Sequence, residues 1–416
     1  MAQVVTQPYD KITPAMQASY YQVSPYNLVR VVLGKPQPAD GPLENVYTRA
    51  AASFHNWRQA GVLKQDSQPS LYRYTQTFTL PGSQASAERR GFIALGRLEE
   101  YSAGIVFRHE QTLAKPKADR LDLLRSTRAH FGQIFMLYEG GGKVDALLAS
   151  ALAGVAPAIE VSDEYGVIHR VWSVADPQVL KTAQDQMQDR KLIIADGHHR
   201  YETALAYRGE RRMAAPLNEP SPCDHVMMTL VDMDLPGLLI LPTHRLVFGL
   251  SAAKVTSFPN EARRFFNVEE VDAGIDGARA AGILRQAGMT GAALLAVLPD
   301  RALLLHSPKA IGTNLFGNLS LKQQELDVVQ LHKCVLEGCL EISENAIRDQ
   351  HNVSYVREAG EALGEVRQGR AQIAFLMNPA RIQQVRDIAF AGDVLPQKST
   401  DFYPKLLSGL TIYALD

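Results

Sequence analysis

The part of the sequence that most constrains the fold lies near its middle, where the apolar segment Leu192–Ala195 runs directly into Asp196 and Gly197. A short apolar run bounded by Asp-Gly predicts a strand that ends in a tight turn. Apolar residues then recur at helical spacing from Tyr201 onward, which predicts a helix. A strand, a turn and a helix in immediate succession are typical of domains that mix both kinds of secondary structure.

Segments with strand-like and helix-like periodicity alternate along the chain, and the sequence contains no internal repeat. This pattern predicts an α+β fold, a mixed α/β architecture, in two regions. We place the first at residues 1–250, which carry the strand–turn–helix unit, and a C-terminal α+β region at residues 251–416. Within the first region, Tyr26–Val32 predicts a strand, and Asp176-Pro177 predicts a capped helix start.

The charge balance argues against one broad class of function. The 416 residues include 43 basic and 44 acidic side chains, which give a formal net charge of −1. A protein that binds nucleic acid through bulk electrostatics needs a net basic face, so we expect no nucleic-acid partner. The same balance leaves room for a local basic pocket that binds one small anion.

Cysteine content and hydropathy indicate the compartment. The three cysteines, Cys223, Cys334 and Cys339, form no CxxC pair and cannot build a disulfide framework. No apolar run approaches the ~20 residues that span a bilayer, and the first residues lack the basic and apolar segments of a signal peptide. The sequence therefore predicts a cytoplasmic protein with reduced thiols and no membrane partner.

The Asp-Gly turn is the sharpest candidate site. A strand that opens directly into a helix aims the first N–H groups and the positive dipole end of that helix at one point, where phosphate is the usual ligand. Gly197 lets the backbone approach that ligand closely, while His198, His199 and Arg200 add donors to the same oxygens. Asp196 would repel a bare phosphate, so it indicates a magnesium ion or a substrate amine.

Two other interpretations of the same residues stay open. Asp196 could be only the N-cap of the helix, with Gly197 a turn residue and the histidines solvated. A metal site is the second alternative, because His198 and Glu202 lie four residues apart on one helical face. Two such ligands without a third at a fixed spacing are weak evidence for zinc.

A second concentration of polar residues runs from Val106 to Arg128. His109, Glu110 and Thr112 follow a predicted strand, and several cations, among them Arg120, come next. A carboxylate at a strand end beside cations suits activation of a nucleophile next to anionic groups. The alternative is a solvated, charged helix face, which accounts for the later arginines better than for the strand-end pair.

A third candidate is the segment Leu395–Leu410. It holds a compact polar set, Lys398, Ser399, Thr400 and Lys405, that could bind a phosphate if the segment folds back over the cleft. It is not a P-loop, because the glycine spacing before the lysine is missing. The alternative is a segment that docks through its aromatic and aliphatic side chains alone.

One further pair, His244 and Arg245, follows an apolar strand and could either line the same cleft or be structural. The sequence contains no GxSxG elbow, no GxGxxG after a strand and no HExxH. Hydride transfer on a Rossmann frame and serine hydrolysis therefore lack their usual signatures.

Several segments together resemble one family across nearly the whole chain. They are Gln7–Thr13, Ser24–Val31, Phe107–Leu124, Ile194–Ala204, Leu241–Val247 and Pro396–Leu410. On this combination the chain is identified as a member of the bacterial and archaeal family called domain of unknown function ten-fifteen.

The segment IIADGHHRYETALAY is more distantly similar to the strand–turn–helix motif of ParB-type and sulfiredoxin-type domains, which bind nucleotide phosphates at this turn. The resemblance implies a core of that type. The free-serine-kinase branch carries an Asp-Gly-x-His-Arg form, which Asp196, Gly197, His199 and Arg200 match. Sulfiredoxins have a cysteine where this chain has His198, and the near-neutral charge gives no support for the DNA-binding branch.

The geometry of the turn at Gly197 to Arg200, together with the serine-kinase-like form of the motif, predicts a nucleotide-dependent small-molecule kinase that uses Mg²⁺ with ATP or ADP and phosphorylates the hydroxyl of a free amino acid such as serine. In that reaction His199 and Arg200 would hold phosphates and Asp196 would place the metal or the substrate amine. Glu110 would accept the hydroxyl proton, with Lys398 and Lys405 among the auxiliary anion ligands. The alternative function is a nucleotide-binding sensor or regulatory protein that transfers no phosphoryl group to an acceptor.

Overall fold

The computed structural model describes residues 1–110, 115–214, 221–310 and 315–416, with the backbone alone for residues 115–117. Within these residues no helix is long and apolar enough to cross a bilayer.

The α-helices are α1 (Pro14–Val23), α2 (Val29–Val32), α3 (Val46–Gln59), α4 (Lys115–Thr127), α5 (Lys143–Ala151), α6 (Pro177–Met187), α7 (His198–Ala214), α8 (Ala252–Ala262), α9 (Gly277–Ala287), α10 (Leu321–Gln324), α11 (Asp327–Gln330), α12 (Glu344–Arg348), α13 (Ala359–Arg367) and α14 (Ile382–Phe390). Short 3₁₀ helices span Tyr9–Lys11, Tyr101–Ala103 and Pro222–Asp224, and a π-helix spans Leu331–Cys339.

The strands are β1 (Leu71–Thr79), β2 (Ser86–Arg97), β3 (Val106–Arg108), β4 (Ala129–His130), β5 (Ile134–Tyr138), β6 (Ile159–Ser162), β7 (Ile168–Val174), β8 (Leu192–Asp196), β9 (His225–Asp232), β10 (Leu239–Leu241), β11 (His244–Val247), β12 (Asn267–Val271), β13 (Ala293–Val297), β14 (Ala302–His306), β15 (Val353–Val356), β16 (Ile373–Met377), β17 (Asp401–Tyr403) and β18 (Tyr413–Ala414). Helices and sheets therefore share the chain, and the predicted α+β fold class is confirmed.

The chain forms two compact units. Unit 1 comprises Met1–Arg108, Thr112–Leu238 and Pro404–Asp416, and unit 2 comprises His109–Gln111 and Leu239–Tyr403. Unit 1 gives way to unit 2 after Leu238, whereas the regions predicted from the sequence met at residue 250. The last thirteen residues belong to unit 1.

Unit 1 is built on an eight-stranded sheet with the order β3-β8-β5-β9-β2-β1-β7-β6. Strand β8 pairs in parallel with β3 and antiparallel with β5, so it lies inside the sheet rather than at its edge. Its residues Ile193 and Ile194 are fully buried, and Ile194 shares a hydrophobic core with Met136, Met228 and Tyr201. This packing fixes the strand whose end carries the Asp-Gly turn.

Unit 2 is built on a six-stranded antiparallel sheet with the order β12-β14-β13-β16-β11-β15. Strand β13 lies between β14 and β16, and every residue of Ala293–Val297 is buried. A separate two-stranded pair joins β10 to β17, which places Phe402 opposite Ile240. Strand β17 directly follows the polar set at 398–400.

The sequence was wrong about Tyr26–Val32, which predicted a strand but contains the short helix Val29–Val32. Asn27 explains the difference. Its buried side chain accepts a hydrogen bond from Val29 N (3.0 Å) and donates to the carbonyl oxygens of Gln3 and Val5. An asparagine that bonds its own backbone starts a turn, and the apolar residues after it are buried in either secondary structure.

Candidate functional site

The turn between β8 and α7 is shaped by Gly197. Its φ of +93° lies in the left-handed region, and a Cβ built there would approach Arg200 Nη2 to 2.9 Å. The first α-helical hydrogen bond runs from Tyr201 N to Gly197 O (3.0 Å), so the N–H groups of the first turn of α7 lie outside the helical ladder. Glycine therefore allows both the sharp turn and the close approach of the Arg200 side chain.

Asp196 stands at the end of β8 between two cations. Arg200 Nη2 donates to Asp196 Oδ2 at 3.1 Å, and Lys405 Nζ lies 3.7 Å from Asp196 Oδ1. Arg200 is held in place by a second bond, from Nη1 to the Gln133 carbonyl oxygen at 2.6 Å. The Asp196 side chain keeps 29% of its surface exposed, which leaves it accessible to a ligand.

The charges around Asp196 keep it ionised. Burial raises the pKa of this carboxyl, but the positive charges of Lys405, Arg200 and Lys11 outweigh burial and hold the pKa well below its usual range. The turn thus combines one permanent carboxylate with several cations and the positive end of a 17-residue helix.

Lys405 is positioned by two buried residues that the sequence did not single out as site residues. Arg89 donates from Nε to Gln76 Oε1 (3.0 Å) and from Nη2 to the Pro404 carbonyl oxygen (2.5 Å). Gln76 in turn donates from Nε2 to the Lys405 carbonyl oxygen (2.8 Å). Burial lowers the pKa of Arg89 to about 10, so its guanidinium remains charged at neutral pH. The sequence signal for this pair was Gln76, because it is the one amide among the aromatic residues Tyr72, Tyr74 and Phe78 on the same face of β1.

Three further candidate residues lie in the first turns of α7. His198, His199 and Glu202 are partly exposed in the first turns of α7. Glu202 accepts a weak hydrogen bond from the Tyr101 hydroxyl (3.4 Å). The part of the chain that the structure describes contains no group of three or more His, Cys, Asp or Glu side chains arranged to hold a metal, so it supplies no third ligand for the zinc alternative.

A second polar group, built around Glu110, belongs to unit 2. The backbone of 109–110 pairs with Leu395, whose N–H donates to the His109 carbonyl oxygen at 2.8 Å. Lys398 N donates to Glu110 Oε1, and Thr400 Oγ1 donates to Glu110 Oε2 at 3.3 Å. His109 Nε2 contacts the same threonine oxygen at 2.7 Å. Both carboxylate oxygens of Glu110 are therefore oriented by the segment 398–400.

Glu110 binds a proton far more readily than an exposed glutamate. Burial raises its pKa to about 7, while the Lys398 backbone N–H and side-chain charge, the Thr400 hydroxyl and the charge of Arg245 act in the opposite direction. Burial is the larger influence because only 18% of the side chain is exposed. A carboxyl with this pKa exchanges protons near neutral pH.

The buried Arg245 side chain holds the backbone of the segment 398–400 that orients Glu110. The side chain of Arg245 is fully buried, its Nη2 donates to the Lys398 carbonyl oxygen at 3.0 Å, and its guanidinium lies 5.0 Å from the Tyr355 ring centroid. Burial lowers the pKa of its neighbour His244 to about 4, so that imidazole is neutral and its Nδ1 accepts from Met377 N. Arg245 thus stabilises the loop, and His244 joins β11 to the end of β16; neither contact indicates a separate site.

The predicted site residues fall into two groups. Unit 1 brings together Asp196, Gly197, Arg200 and Lys405, and unit 2 brings together His109, Glu110, Lys398, Thr400 and Arg245. Ser399 donates to the Pro396 carbonyl oxygen and shapes the loop of the second group. Arg120 belongs to unit 1 and lies 4.1 Å above the Tyr9 ring centroid, whereas Thr112 lies outside the described residues.

Comparisons with known proteins give a family and distant structural similarities. The model of the family described as "Protein of unknown function (DUF1015)" matches residues 1–329. No curated protein matches the sequence.

Among solved structures, the chain is similar to a conserved hypothetical protein from Pyrococcus furiosus, with 10% identity, a TM-score of 0.37, and coverage of 76% of this chain and 92% of that one. It is also similar to a free serine kinase mutant in complex with AMP, with 11% identity, a TM-score of 0.39, and coverage of 74% and 87%. A third similar structure is SbnI with C-terminal truncation from Staphylococcus aureus, with 10% identity, a TM-score of 0.35, and coverage of 76% and 85%.

Proposed function

This chain belongs to the DUF1015 family, and we propose that it is a nucleotide-dependent kinase that transfers a phosphoryl group from ATP or ADP to the hydroxyl of a small molecule, such as a free amino acid of the serine type. One observation carries the proposal. An ionised carboxylate, Asp196, stands among cations at a glycine turn that opens a long helix.

The proposed phosphate-binding site is the N-terminal end of α7. Its dipole and first-turn N–H groups favour an anion, and Gly197 presents no Cβ to obstruct it. Arg200 and Lys405 contact the single carboxylate Asp196, and Lys11 adds a third positive charge that acts on it. Positive charge therefore exceeds negative charge at the turn, which is what a polyphosphate requires.

Asp196 fits the role of a magnesium ligand. Mg²⁺ in phosphoryl-transfer sites is held by one or two carboxylates together with the phosphates of the nucleotide, and Asp196 stays ionised and 29% exposed. When bound, Mg²⁺ would neutralise charge on the phosphoryl oxygens. The residues of the chain then bind and orient: Arg200 and Lys405 would move from Asp196 toward phosphate oxygens, with His199 as a further donor.

We assign the proton-accepting role to Glu110. An efficient general base has a pKa near the working pH, and burial raises the pKa of Glu110 to about 7. In the proposed step the acceptor hydroxyl gives its proton to Glu110, its oxygen forms a bond to phosphorus, and the bond from phosphorus to the leaving nucleotide oxygen breaks. The bonds from Lys398 N and Thr400 Oγ1 would fix the carboxylate for that transfer.

The test is a product assay with the full chain, Mg²⁺, ATP or ADP, and serine as the first acceptor. We expect a phosphorylated acceptor from the wild type, and a loss of at least a hundredfold in rate for Asp196→Asn and Glu110→Gln. Arg97→Gln, an exposed position whose side chain is 70% accessible, is the matched control. Tight nucleotide binding without a phosphorylated product from any hydroxyl acceptor would overturn the kinase proposal in favour of a nucleotide sensor, because the unit 1 turn suffices for binding.

A further inference from the structure

Unit 1 contains a cavity of about 60 Å³, and of its lining residues the proposed reaction uses Arg200 alone. Its polar lining consists of Tyr9, Arg120, His130, Arg200, Thr203 and Ser408. Apolar side chains, among them Val32, Leu123 and Phe131, form the remaining walls. A cavity of this size has room for about four water-sized groups.

The charged groups that line the cavity are both cations. Arg120 donates from Nε and Nη2 to Asp119 Oδ2 and from Nη1 to the Val32 carbonyl oxygen, which uses three of the five N–H groups of a guanidinium. Arg200 contributes the second guanidinium. The described residues that line the cavity include no Asp or Glu side chain. The carboxylates that pair with the two guanidiniums, Asp119 and Asp196, lie outside that lining, and the hydrogen bonds of the two arginines leave N–H groups of both available as donors.

The two other titratable residues of the lining, His130 and Tyr9, carry no charge at neutral pH. Burial lowers the pKa of His130 to about 4, which leaves its imidazole uncharged at neutral pH. Burial also raises the pKa of Tyr9, which keeps its phenol protonated. Both are therefore uncharged groups beside the two arginines.

Thr203 supplies the observation that points to a ligand. It is 4% exposed, it lines the cavity, and its buried Oγ1 has no hydrogen-bond partner among the described residues. A buried hydroxyl without a partner is unfavourable, and a ligand oxygen in the cavity would satisfy it. The hydroxyl and the two guanidiniums thus offer donors to one anionic group.

We propose that this cavity binds a small organic carboxylate, of about the size of acetate or lactate, with its carboxylate at Arg120, Arg200 and Thr203. The apolar walls suit a short hydrocarbon body and disfavour a fully solvated inorganic ion. The inference rests on the residues of the cavity and not on the kinase proposal, and the carboxylate is either the acceptor itself or an effector.

The test is calorimetric titration of the full chain with L-lactate and acetate, and with the neutral analogues lactamide and acetamide. We expect the carboxylates to bind and the amides to bind at least tenfold more weakly, because a hydrogen bond to a charged group carries that difference. Thr203→Val, which keeps the side-chain shape and removes the hydroxyl, should weaken lactate binding about tenfold. Arg120→Gln should weaken it further.

Thr182→Val is the matched control, because the Thr182 hydroxyl donates to the Gln178 carbonyl oxygen (2.7 Å) on the exposed helix α6 of the same unit. It should leave lactate affinity unchanged. Melting temperatures show whether each variant folds, and Thr203→Val should melt no lower than the wild type because it removes an unsatisfied hydroxyl.

Equal binding of lactate and lactamide, stronger binding of inorganic phosphate than of either carboxylate, or unchanged affinity in a folded Thr203→Val protein would each overturn the inference. A separate titration with ADP tests the turn at Asp196, so failure at one site is distinguishable from failure at the other. If lactate binds, its phosphorylation in the presence of ATP identifies an acceptor, and its recovery unmodified identifies an effector; both support the site.

Discussion

Lys405 Nζ lies 3.7 Å from Asp196 Oδ1, although the two residues are separated by half of the sequence and by all but three residues of unit 2 along the chain. The Lys405 side chain is 12% exposed, so this is a partly buried contact and not a surface ion pair. The last segment of the chain therefore supplies one of the cations that face the carboxylate of the strand–turn–helix unit.

Lys405→Met should weaken binding of ADP by about tenfold or more, because a charge-assisted contact to phosphate is lost while the aliphatic stem is kept. Isothermal titration at two salt concentrations measures the effect. The control is Lys181→Met, an exposed lysine paired with Asp185 on helix α6. Equal affinities for the two variants would contradict a role for Lys405 at the phosphates.

Gly197→Ala should lower the free energy of unfolding by about 1–2 kcal/mol, since alanine is strained at a φ of +93°. It should also abolish nucleotide binding, because the new Cβ would press on the Arg200 guanidinium. Gly209→Ala in helix α7 is the control. A Cβ there meets nothing within 4 Å, and the protein should gain about 0.5–1 kcal/mol. Urea denaturation and ADP titration test both variants.

Glu110 should make stability depend on pH between about 4.5 and 7. Because burial raises its pKa to about 7 in the folded protein, the folded state binds a proton that the unfolded state has already released. Its contribution is fully present below pH 4.5 and is lost as pH rises through 7, a change of about 3 kcal/mol. Melting temperatures of the wild type and Glu110→Gln from pH 4 to 8 measure it.

The direction in which the difference in melting temperature between the wild type and Glu110→Gln changes with pH tests the raised pKa of Glu110. The wild type should lose stability relative to Glu110→Gln as pH rises across this window, because the glutamine carries no titrating proton. If Glu110 is the general base, the rate should rise over the same range, since the base must be ionised to accept a proton. A pH-independent difference in melting temperature would show that Glu110 has an ordinary pKa.

Gln76→Leu should destabilise the protein by about 2–3 kcal/mol, because it removes the side-chain acceptor of the buried Arg89 guanidinium. Arg89→Met in the same background should cost less than it does alone, so the double-mutant cycle should give a coupling energy of at least about 1 kcal/mol. Strict additivity would mean that the two side chains act separately. Both single variants should also weaken ADP binding, through Lys405.

The strand, the turn and the helix around Asp196 were predictable because their signals are local. Ile193 and Ile194 form an apolar run, Asp-Gly breaks it, and the spacing after Gly197 is helical. The N-cap of α6 was predictable for the same reason, and Asp176 Oδ1 accepts from Gln178 N and Val179 N as a capping aspartate does.

The positions of Lys405 and Arg89 were not predictable, because they depend on contacts between segments far apart in sequence. Arg89 reads as an ordinary polar residue of β2, yet it is 2% exposed. Its burial follows from the pairing of β1 with β2, which sets Gln76 directly opposite it. The helix at Val29–Val32 was missed because an apolar run of that length fits a strand and a helix equally well.

The route of the chain through unit 1 also has a consequence for its synthesis. A ribosome makes Asp196 well before Lys405, and between them it makes all but three residues of unit 2. Until residues 404–416 emerge, the carboxylate at the turn lacks its lysine, and Thr6 lacks its bridge to Ser408. If the chain binds nucleotide as proposed, a nascent chain should bind it more weakly than the finished protein, and the ligand should assist folding of unit 1 less during translation than after release.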